Sequence, residues 1–166
     1  IVIRTQEPAI RIISKVGNLA NAADRDHCIQ YMAAVGLIYG DLKAEFYEDD
    51  FHNENSLIDS LRDKMEIIED KRFSDDYLDP EKRSIANAMK VIFKDGSSTD
   101  DVEVEYPIGH KRRRSEGIPL LEQKFLNNLN KCFDKDKSNS IYKLGTNQEN
   151  LEKTAVHDFM AMLVKN

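Results

Sequence analysis

Cysteine is scarce in this chain of 166 residues, where Cys28 and Cys132 are the only two. Two distant thiols indicate a reducing compartment and give no disulfide framework. A four-iron cluster commonly needs about three or four cysteine ligands, so iron–sulfur chemistry has no support. The sequence also lacks a cysteine–histidine cluster for zinc and a glycine-rich loop for phosphate. We therefore expect neither a metal nor a cofactor.

Long apolar runs are absent as well. No stretch approaches the roughly 20 apolar residues that cross a bilayer, so we expect no membrane partner. The chain has no internal repeat, and it opens with Ile1-Val2-Ile3, which reads as a strand and lacks an initiator methionine. We expect a piece of a longer protein. The length suits one domain or one lobe with an appendage, and the 40% apolar fraction is enough for a core.

Residues 1–107 predict an α+β lobe. Residues 1–5 read as a strand, and residues 9–14, after Pro8, fit either a second strand or a helical turn. One helix is predicted from an N-cap at Asp24 to about Gly40, and another after Ser56. Alternating apolar residues on both sides of the Asp95-Gly96 turn predict a β-hairpin with one apolar face. These residues are Met89, Val91 and Phe93 before the turn and Val102, Val104 and Tyr106 after it.

Residues 108–166 predict a basic loop followed by two helices. The first helix begins near Pro119, with an apolar stripe made of Ile118, Leu121, Phe125, Leu129 and Phe133. Residues 134–140 read as a polar linker. They resemble the start of a calcium loop, but Asn139 and Gly145 stand where such a loop needs glycine and an acidic ligand. Thr146 and Glu149 predict a capping box for the final helix.

Four consecutive cations, Lys111 to Arg114, follow His110 in a chain whose formal net charge is -6. A compact basic knot in an acidic protein suggests a specific anionic target, whereas nucleic acid usually requires a broad basic face. Small di- or tricarboxylates fit better, because guanidinium groups bind carboxylates through two parallel hydrogen bonds. In an extended loop neighbours alternate in direction, so Arg112 or Arg113 would reach a ligand, with His110 as a neutral donor. The alternative is that the knot is solvated surface charge.

His27 and Tyr31 lie four residues apart on the predicted first helix, so they would share a face. Histidine exchanges protons near neutral pH, and a tyrosine hydroxyl can donate to a carboxylate or a leaving hydroxide. The alternative is that Tyr31 packs in the core and His27 caps the first turn. Arg25 is expected to form a surface ion pair, and His52 to lie in a polar loop without companions.

Four segments resemble the C-terminal part of the MmgE/PrpD family, and in particular its dehydratase branch. They occur in the family's order: IRTQEPAIRII (3–13), ADRDHCIQYM (23–32), DPEKRSIANAMKVIFKDG (79–96) and VEYPIGHKRRRSEGIP (104–119). The resemblance implies that residues 1–107 form a small antiparallel-sheet lid lobe. It also implies that the helices of residues 108–166 return to an all-helical lobe absent from this chain.

The resemblance further implies a metal-independent hydro-lyase that converts 2-methylcitrate to 2-methylaconitate in propionate breakdown. Tyr31 and His27 would be catalytic, and Arg112, Arg113, His110 and Gln30 would bind the tricarboxylate. The full-length protein would be a homodimer in the mitochondrial matrix or the bacterial cytoplasm, with a preference for the matrix. The isolated chain would be inactive, because the base that removes the carbon-bound proton lies upstream. Alternatives are an aconitate decarboxylase, an epimerase, or a non-catalytic module that docks acidic partners.

Overall fold

A computed structural model describes residues 1–164. The chain divides into two compact units, Ile1–Pro107 and Ile108–Asn166. No helix among the described residues is both long and apolar enough to cross a membrane.

The first unit contains four strands, six α-helices and a short 3-10 helix at Ala44–Tyr47. In chain order the strands and α-helices are β1 (Val2–Thr5), α1 (Glu7–Ile13), α2 (Ala22–Asp26), α3 (Ile29–Tyr39), α4 (Asp49–Glu54), α5 (Leu57–Arg62), β2 (Glu66–Glu69), α6 (Lys71–Leu78), β3 (Asn87–Lys90) and β4 (Val102–Val104).

The strands form one open sheet in the order β2-β1-β3-β4. The α+β class is therefore confirmed. β1 pairs antiparallel with β3, and β3 with β4, but β1 and β2 are parallel, with Ile3 opposite Ile67. The antiparallel prediction thus fails for one pair of strands. The physical reason is the connection: residues 6–65 hold five α-helices and a 3-10 helix, a crossover long enough to bring β2 back in the same direction as β1.

The single helix predicted from Asp24 to Gly40 is two helices in the structure. The chain leaves helical geometry at His27 and Cys28, where Cys28 is extended with φ −130° and ψ 107°. Asn21, and not Asp24, caps α2, because its side chain accepts from the Asp24 amide at 2.9 Å. The predicted end of the second helix is confirmed: Gly40 closes α3 in the left-handed region, with φ 67°.

Three other local predictions can be compared with the structure. Residues 9–13, for which the sequence fitted either a strand or a helical turn, belong to α1, with Pro8 in its first turn. The β-hairpin is confirmed, with Met89 opposite Val102, but β3 ends at Lys90, so the predicted Phe93 lies beyond it. The helix after Ser56 is confirmed as α5.

Among the described residues of the second unit, the regular secondary structure consists of helices only. A 3-10 helix at Lys111–Arg113 leads into α7 (Arg114–Cys132), followed by α8 (Lys135–Gly145), α9 (Gln148–Lys153) and α10 (Val156–Met162). Residues 108–164 therefore hold four α-helices where two were predicted. α7 begins five residues before Pro119, because the basic residues themselves are helical.

The predicted linker at residues 134–140 is wrong, since α8 occupies it. Asp134 accepts from the Lys137 amide at 2.9 Å and so acts as the N-cap, and Ser138 and Ile141 on the inner side of α8 are buried. The predicted Thr146–Glu149 capping box is also wrong. Thr146 donates back to the carbonyl of Tyr142, and Asn147 caps α9 instead.

Candidate functional site

Tyr31 lies at the centre of the main core cluster of the first unit and is fully buried. Its hydroxyl donates to the backbone carbonyl of Phe46 at 2.8 Å. Its ring centroid lies 6.0 Å from that of Tyr47 and 5.7 Å from that of His52. Burial raises the pKa of Tyr31 to about 12, so at neutral pH the hydroxyl keeps its proton and serves as a donor.

His27 does not share a face with Tyr31, so that prediction is wrong. His27 stands at the end of α2, outside α3, and its side chain is 62% exposed and paired with Asp26. The break at Cys28 turns the imidazole toward solvent while Tyr31 points into the core. The i, i+4 argument failed because it assumed an unbroken helix.

Gln30 is buried, and both ends of its amide are engaged. It donates to the Ser14 hydroxyl at 3.1 Å, and its oxygen accepts from the Lys15 amide at 3.2 Å and from the Cys28 thiol at 3.4 Å. These bonds tie the start of α3 to the segment that follows α1.

Arg25 was expected in a surface ion pair, and the structure places its guanidinium in the interior. The residue is 1% exposed. Its Nε donates to the carbonyl of Tyr47 at 2.6 Å, and its Nη2 pairs with Asp49 at the start of α4. Arg25 therefore holds the 3-10 helix whose Phe46 carbonyl accepts from Tyr31. Sequence alone gives no sign of this, because the partners lie more than twenty residues away.

His52 also lies next to Tyr31, and not in the polar loop predicted for it. It belongs to α4, its side chain is only 13% exposed, and its Nε2 lies 3.6 Å from Asp59. Asp59 accepts from Arg62 at 2.5 Å. Within residues 1–164, His52 Nδ1 and Arg62 Nε are buried without a hydrogen-bond partner. The surroundings of the Tyr31 ring are thus more polar than the apolar positions of the sequence indicated.

The basic knot is helical, so the predicted extended loop with alternating side chains is wrong. His110 is the N-cap of the 3-10 helix, and its Nδ1 accepts from the Arg112 amide at 3.2 Å. Arg112 is exposed, and Arg114 is the first residue of α7. His110 therefore fixes the backbone of the arginines, a role that its position before a basic run did not reveal.

Arg113, the last residue of the 3-10 helix, forms two hydrogen bonds with a carboxylate in the first turn of α7. Its Nε and Nη2 donate to the two oxygens of Glu116 at 3.1 and 2.7 Å. This hydrogen bonding lowers the pKa of Glu116 and raises that of Arg113. A ligand carboxylate at Arg113 would take the place of Glu116.

Gly117 makes the start of α7 compact. A Cβ at this position would lie 2.4 Å from the carbonyl oxygen of Ile108, so only glycine fits while the backbone before the knot lies against the helix. The residues around Gly117 therefore form the first turn of α7.

No group of His, Cys, Asp and Glu among residues 1–164 is arranged to hold a metal ion. The first unit does have an apolar groove of about 380 Å³ on its sheet. Strand residues Met89, Val102 and Val104 line one side, and helix residues Ile13 and Met32 line the other. None of the predicted site residues lines this groove.

The family model of the MmgE/PrpD C-terminal domain matches residues 1–150, which is most of the chain. The chain belongs to the MmgE/PrpD family. Within the family it is 49% identical over 162 residues to a 2-methylcitrate dehydratase of Cupriavidus necator, covering 98% of this chain and 33% of that protein. It is 47% identical over 163 residues to a mitochondrial 2-methylcitrate dehydratase of Yarrowia lipolytica, covering 98% of the chain and 31% of that protein.

A probable 2-methylcitrate dehydratase of Saccharomyces cerevisiae is 53% identical over 146 residues, covering 87% of this chain and 28% of that protein. The chain thus spans about a third of the length of the curated MmgE/PrpD relatives it matches. The family prediction made from the four segments is confirmed.

Proposed function

We propose that this chain is the C-terminal part of a hydro-lyase that dehydrates 2-methylcitrate to 2-methylaconitate in propionate breakdown. The observation that supports it is identity of 47–49%, across 98% of the chain, to relatives named 2-methylcitrate dehydratase. The two thirds of those relatives that the chain does not match would supply the base that removes the carbon-bound proton.

Tyr31 is proposed as the acid that protonates the departing hydroxide. A hydroxyl whose pKa is about 12 keeps its proton at neutral pH, which suits an acid and rules out a base. Its present acceptor is the Phe46 carbonyl, so catalysis would require the hydroxyl to exchange that bond for one to substrate. His27, exposed beside Asp26, is proposed as a proton carrier at the surface of the same unit.

Arg112 and Arg113 are proposed to bind substrate carboxylates, with His110 holding the backbone that presents them. The contact of Arg113 with both oxygens of Glu116 supports this role, because it is the geometry with which guanidinium binds any carboxylate. Gln30 is proposed to act indirectly, since its amide already bonds Ser14 and Lys15.

The proposal includes the setting of the whole protein. Residues 1–107 would form the lid lobe, and the helices of residues 108–166 would pack on a helical lobe. The apolar side chains that α7 exposes, such as Leu120 and Leu121 at 59% and 65%, support such a covering. The full-length protein would be a homodimer. It would reside in the mitochondrial matrix or the bacterial cytoplasm, since the relatives include a protein named mitochondrial and bacterial enzymes.

A chimera tests the activity. The matched C-terminal third of the Cupriavidus necator relative is replaced by this chain, and loss of water from 2-methylcitrate is followed by the ultraviolet absorbance of the conjugated product. We expect turnover in the chimera and none in the isolated chain. A folded chimera that leaves 2-methylcitrate unchanged, or that decarboxylates cis-aconitate instead, contradicts the proposal.

A further inference from the structure

Tyr31 is closed off from solvent, so it cannot regain a lost proton directly. The side chain is fully buried, and its hydroxyl donates to the Phe46 carbonyl, which has no proton to give back. If Tyr31 protonates a departing hydroxide, it becomes a phenolate beside a carbonyl oxygen, and the two oxygens repel each other. Because burial raises the pKa of Tyr31 to about 12, this phenolate is a strong base that has to regain a proton before the next turnover.

His52 contacts both Tyr31 and a carboxylate that water reaches. Its ring centroid lies 5.7 Å from that of Tyr31, a separation at which a direct hydrogen bond or one bridging water can carry a proton. One ring nitrogen, Nε2, lies 3.6 Å from Asp59, whose side chain is 47% exposed. The other, Nδ1, is buried and has no hydrogen-bond partner within residues 1–164. Such unpaired buried atoms are uncommon in folded proteins and call for an explanation.

Charged side chains of α2 and α5 act on this pair of rings. Burial is the main cause of the raised pKa of Tyr31, and the negative charge of Asp59 adds to it. The positive charges of Arg25 and Arg62 oppose it. Arg25 also pairs with the first residue of α4, the helix that carries His52. Asp59 would thus stabilise a proton that arrives on His52, while the two arginines limit the cost of a phenolate until that proton moves on.

We propose that His52 is a proton relay, which returns a proton from solvent beside Asp59 to the hydroxyl oxygen of Tyr31. The Nδ1–H bond of His52 breaks as the O–H bond of Tyr31 forms, and Nε2 takes a proton from solvent. The imidazole ends neutral as its other tautomer, and exchange with water restores the first. Protons balance over one turnover, because the base that takes the carbon-bound proton releases it to solvent. The inference rests on the proposed function and deepens it, since His52 acts through Tyr31.

Exchange of the Tyr31 hydroxyl proton with water tests the relay in the chain itself. With tyrosine isotopically labelled at Cζ, NMR in mixed light and heavy water gives the exchange rate of each buried hydroxyl, and the Tyr31→Phe spectrum assigns the Tyr31 signal. We expect His52→Phe, which keeps a ring against Tyr31, to slow this exchange by about tenfold or more. His52→Gln should slow it as well, because an amide cannot change its protonation state. Unchanged exchange in both variants overturns the proposal.

Tyr47→Phe is the matched control, because the Tyr47 ring lies 6.0 Å from that of Tyr31 and loses only its hydroxyl. It should leave exchange of the Tyr31 proton unchanged. Backbone amide exchange in α3, measured on the same samples, should be equal in the parent and in His52→Phe. If the amides slow together with the hydroxyl, His52→Phe has only made the core open less often, and the relay is wrong. The relay is also wrong if Tyr47→Phe slows hydroxyl exchange as much as His52→Phe.

Turnover in the chimera tests the relay separately. His52→Ala should lower kcat about tenfold with little change in KM, and added imidazole should restore most of the loss, because it can carry protons in the space that the side chain leaves. In a Tyr31→Phe background, His52→Ala should cause no further loss, since the relay acts through Tyr31. A loss of kcat that imidazole does not restore overturns the proposal. A chimera without turnover contradicts the proposed function alone, because hydroxyl exchange in the chain still decides the relay.

Discussion

The two units of the chain differ in how far each completes its own interior. Residues 1–107 bury eleven apolar side chains, whereas the described residues of the second unit bury two, Leu129 and Ile141. The first unit has 13 basic and 23 acidic residues, and the second has 11 basic and 7 acidic residues. A unit that is basic and buries few apolar side chains, in a chain that is acidic as a whole, is suited to binding a ligand or another surface.

Under the proposed function the two units would have different tasks. The first holds Tyr31 in a closed environment and would govern the chemical step. The second presents the arginines on helical backbone at its surface and would govern substrate binding. Substitutions that change one of these tasks and leave the other intact would test this division.

Tyr31→Phe in the chimera should lower kcat by about 10²- to 10⁴-fold, the range commonly lost with a general acid. The ring stays, so only the hydrogen bond to Phe46 is lost, at a cost of about 1 kcal/mol in unfolding free energy. Turnover and urea unfolding on the same samples separate the two effects. Unchanged turnover together with lower stability would make Tyr31 a packing residue only.

Ile58→Ala should lower the unfolding free energy of the chain by about 2–5 kcal/mol, since Ile58 is fully buried in the main core. Leu121→Ala, the matched truncation in the second unit, should change it by less than about 0.5 kcal/mol, because Leu121 is exposed. Urea unfolding followed by circular dichroism checks both. Equal losses would show that the second unit has a core of its own.

Sequence reasoning succeeded where structure depends on near neighbours. The β1 strand, the β-hairpin, the helix after Ser56 and the end of α3 at Gly40 follow from alternation, turn residues and capping. The family could also be predicted from the sequence, because the four segments that carry the resemblance are short and contiguous and occur in the family's order.

The same reasoning failed where a distant partner decides. Gln30 and Arg25 are buried because Ser14, Tyr47 and Asp49 satisfy them, and no local pattern records those partners. α8 was missed because most of its residues are polar, and the burial of Ser138 and Ile141 depends on packing between α8 and its neighbours. The parallel pairing of β1 and β2 was likewise hidden, because it depends on a crossover of sixty residues.

Replacing Arg112 or Arg113 by alanine in the chimera should raise KM about ten- to hundredfold for at least one of them, since a charge-assisted hydrogen bond commonly contributes roughly 1.5–3 kcal/mol. The effect should fall on KM more than on kcat, in contrast to Tyr31→Phe. Lysine at the same position should restore binding only in part, because an ammonium group cannot form two parallel bonds to a carboxylate. If both alanine variants have the kinetics of the parent, the basic knot does not bind substrate and is solvated surface charge.

The last prediction compares a tyrosine from each unit in alkaline solution. Burial raises the pKa of Tyr31 from its ordinary 10 to about 12, so the folded state holds this proton more tightly than the unfolded state. Its contribution to stability is complete below about pH 10 and is lost as pH rises toward 12. Tyr142, half-buried in α8, has a pKa raised by its hydrogen bond to Glu122, so its contribution has the same sign.

Urea midpoints of the parent, Tyr31→Phe and Tyr142→Phe chains, measured between about pH 9 and 11, separate the two contributions. Tyr31→Phe should remove more of the alkaline loss than Tyr142→Phe, because water reaches Tyr142 and weakens the penalty on its ionised form. If the two variants reduce the pH dependence of the urea midpoint equally, water reaches Tyr31 and Tyr142 to the same extent. The closed first unit and the open second unit would then not differ at their tyrosines.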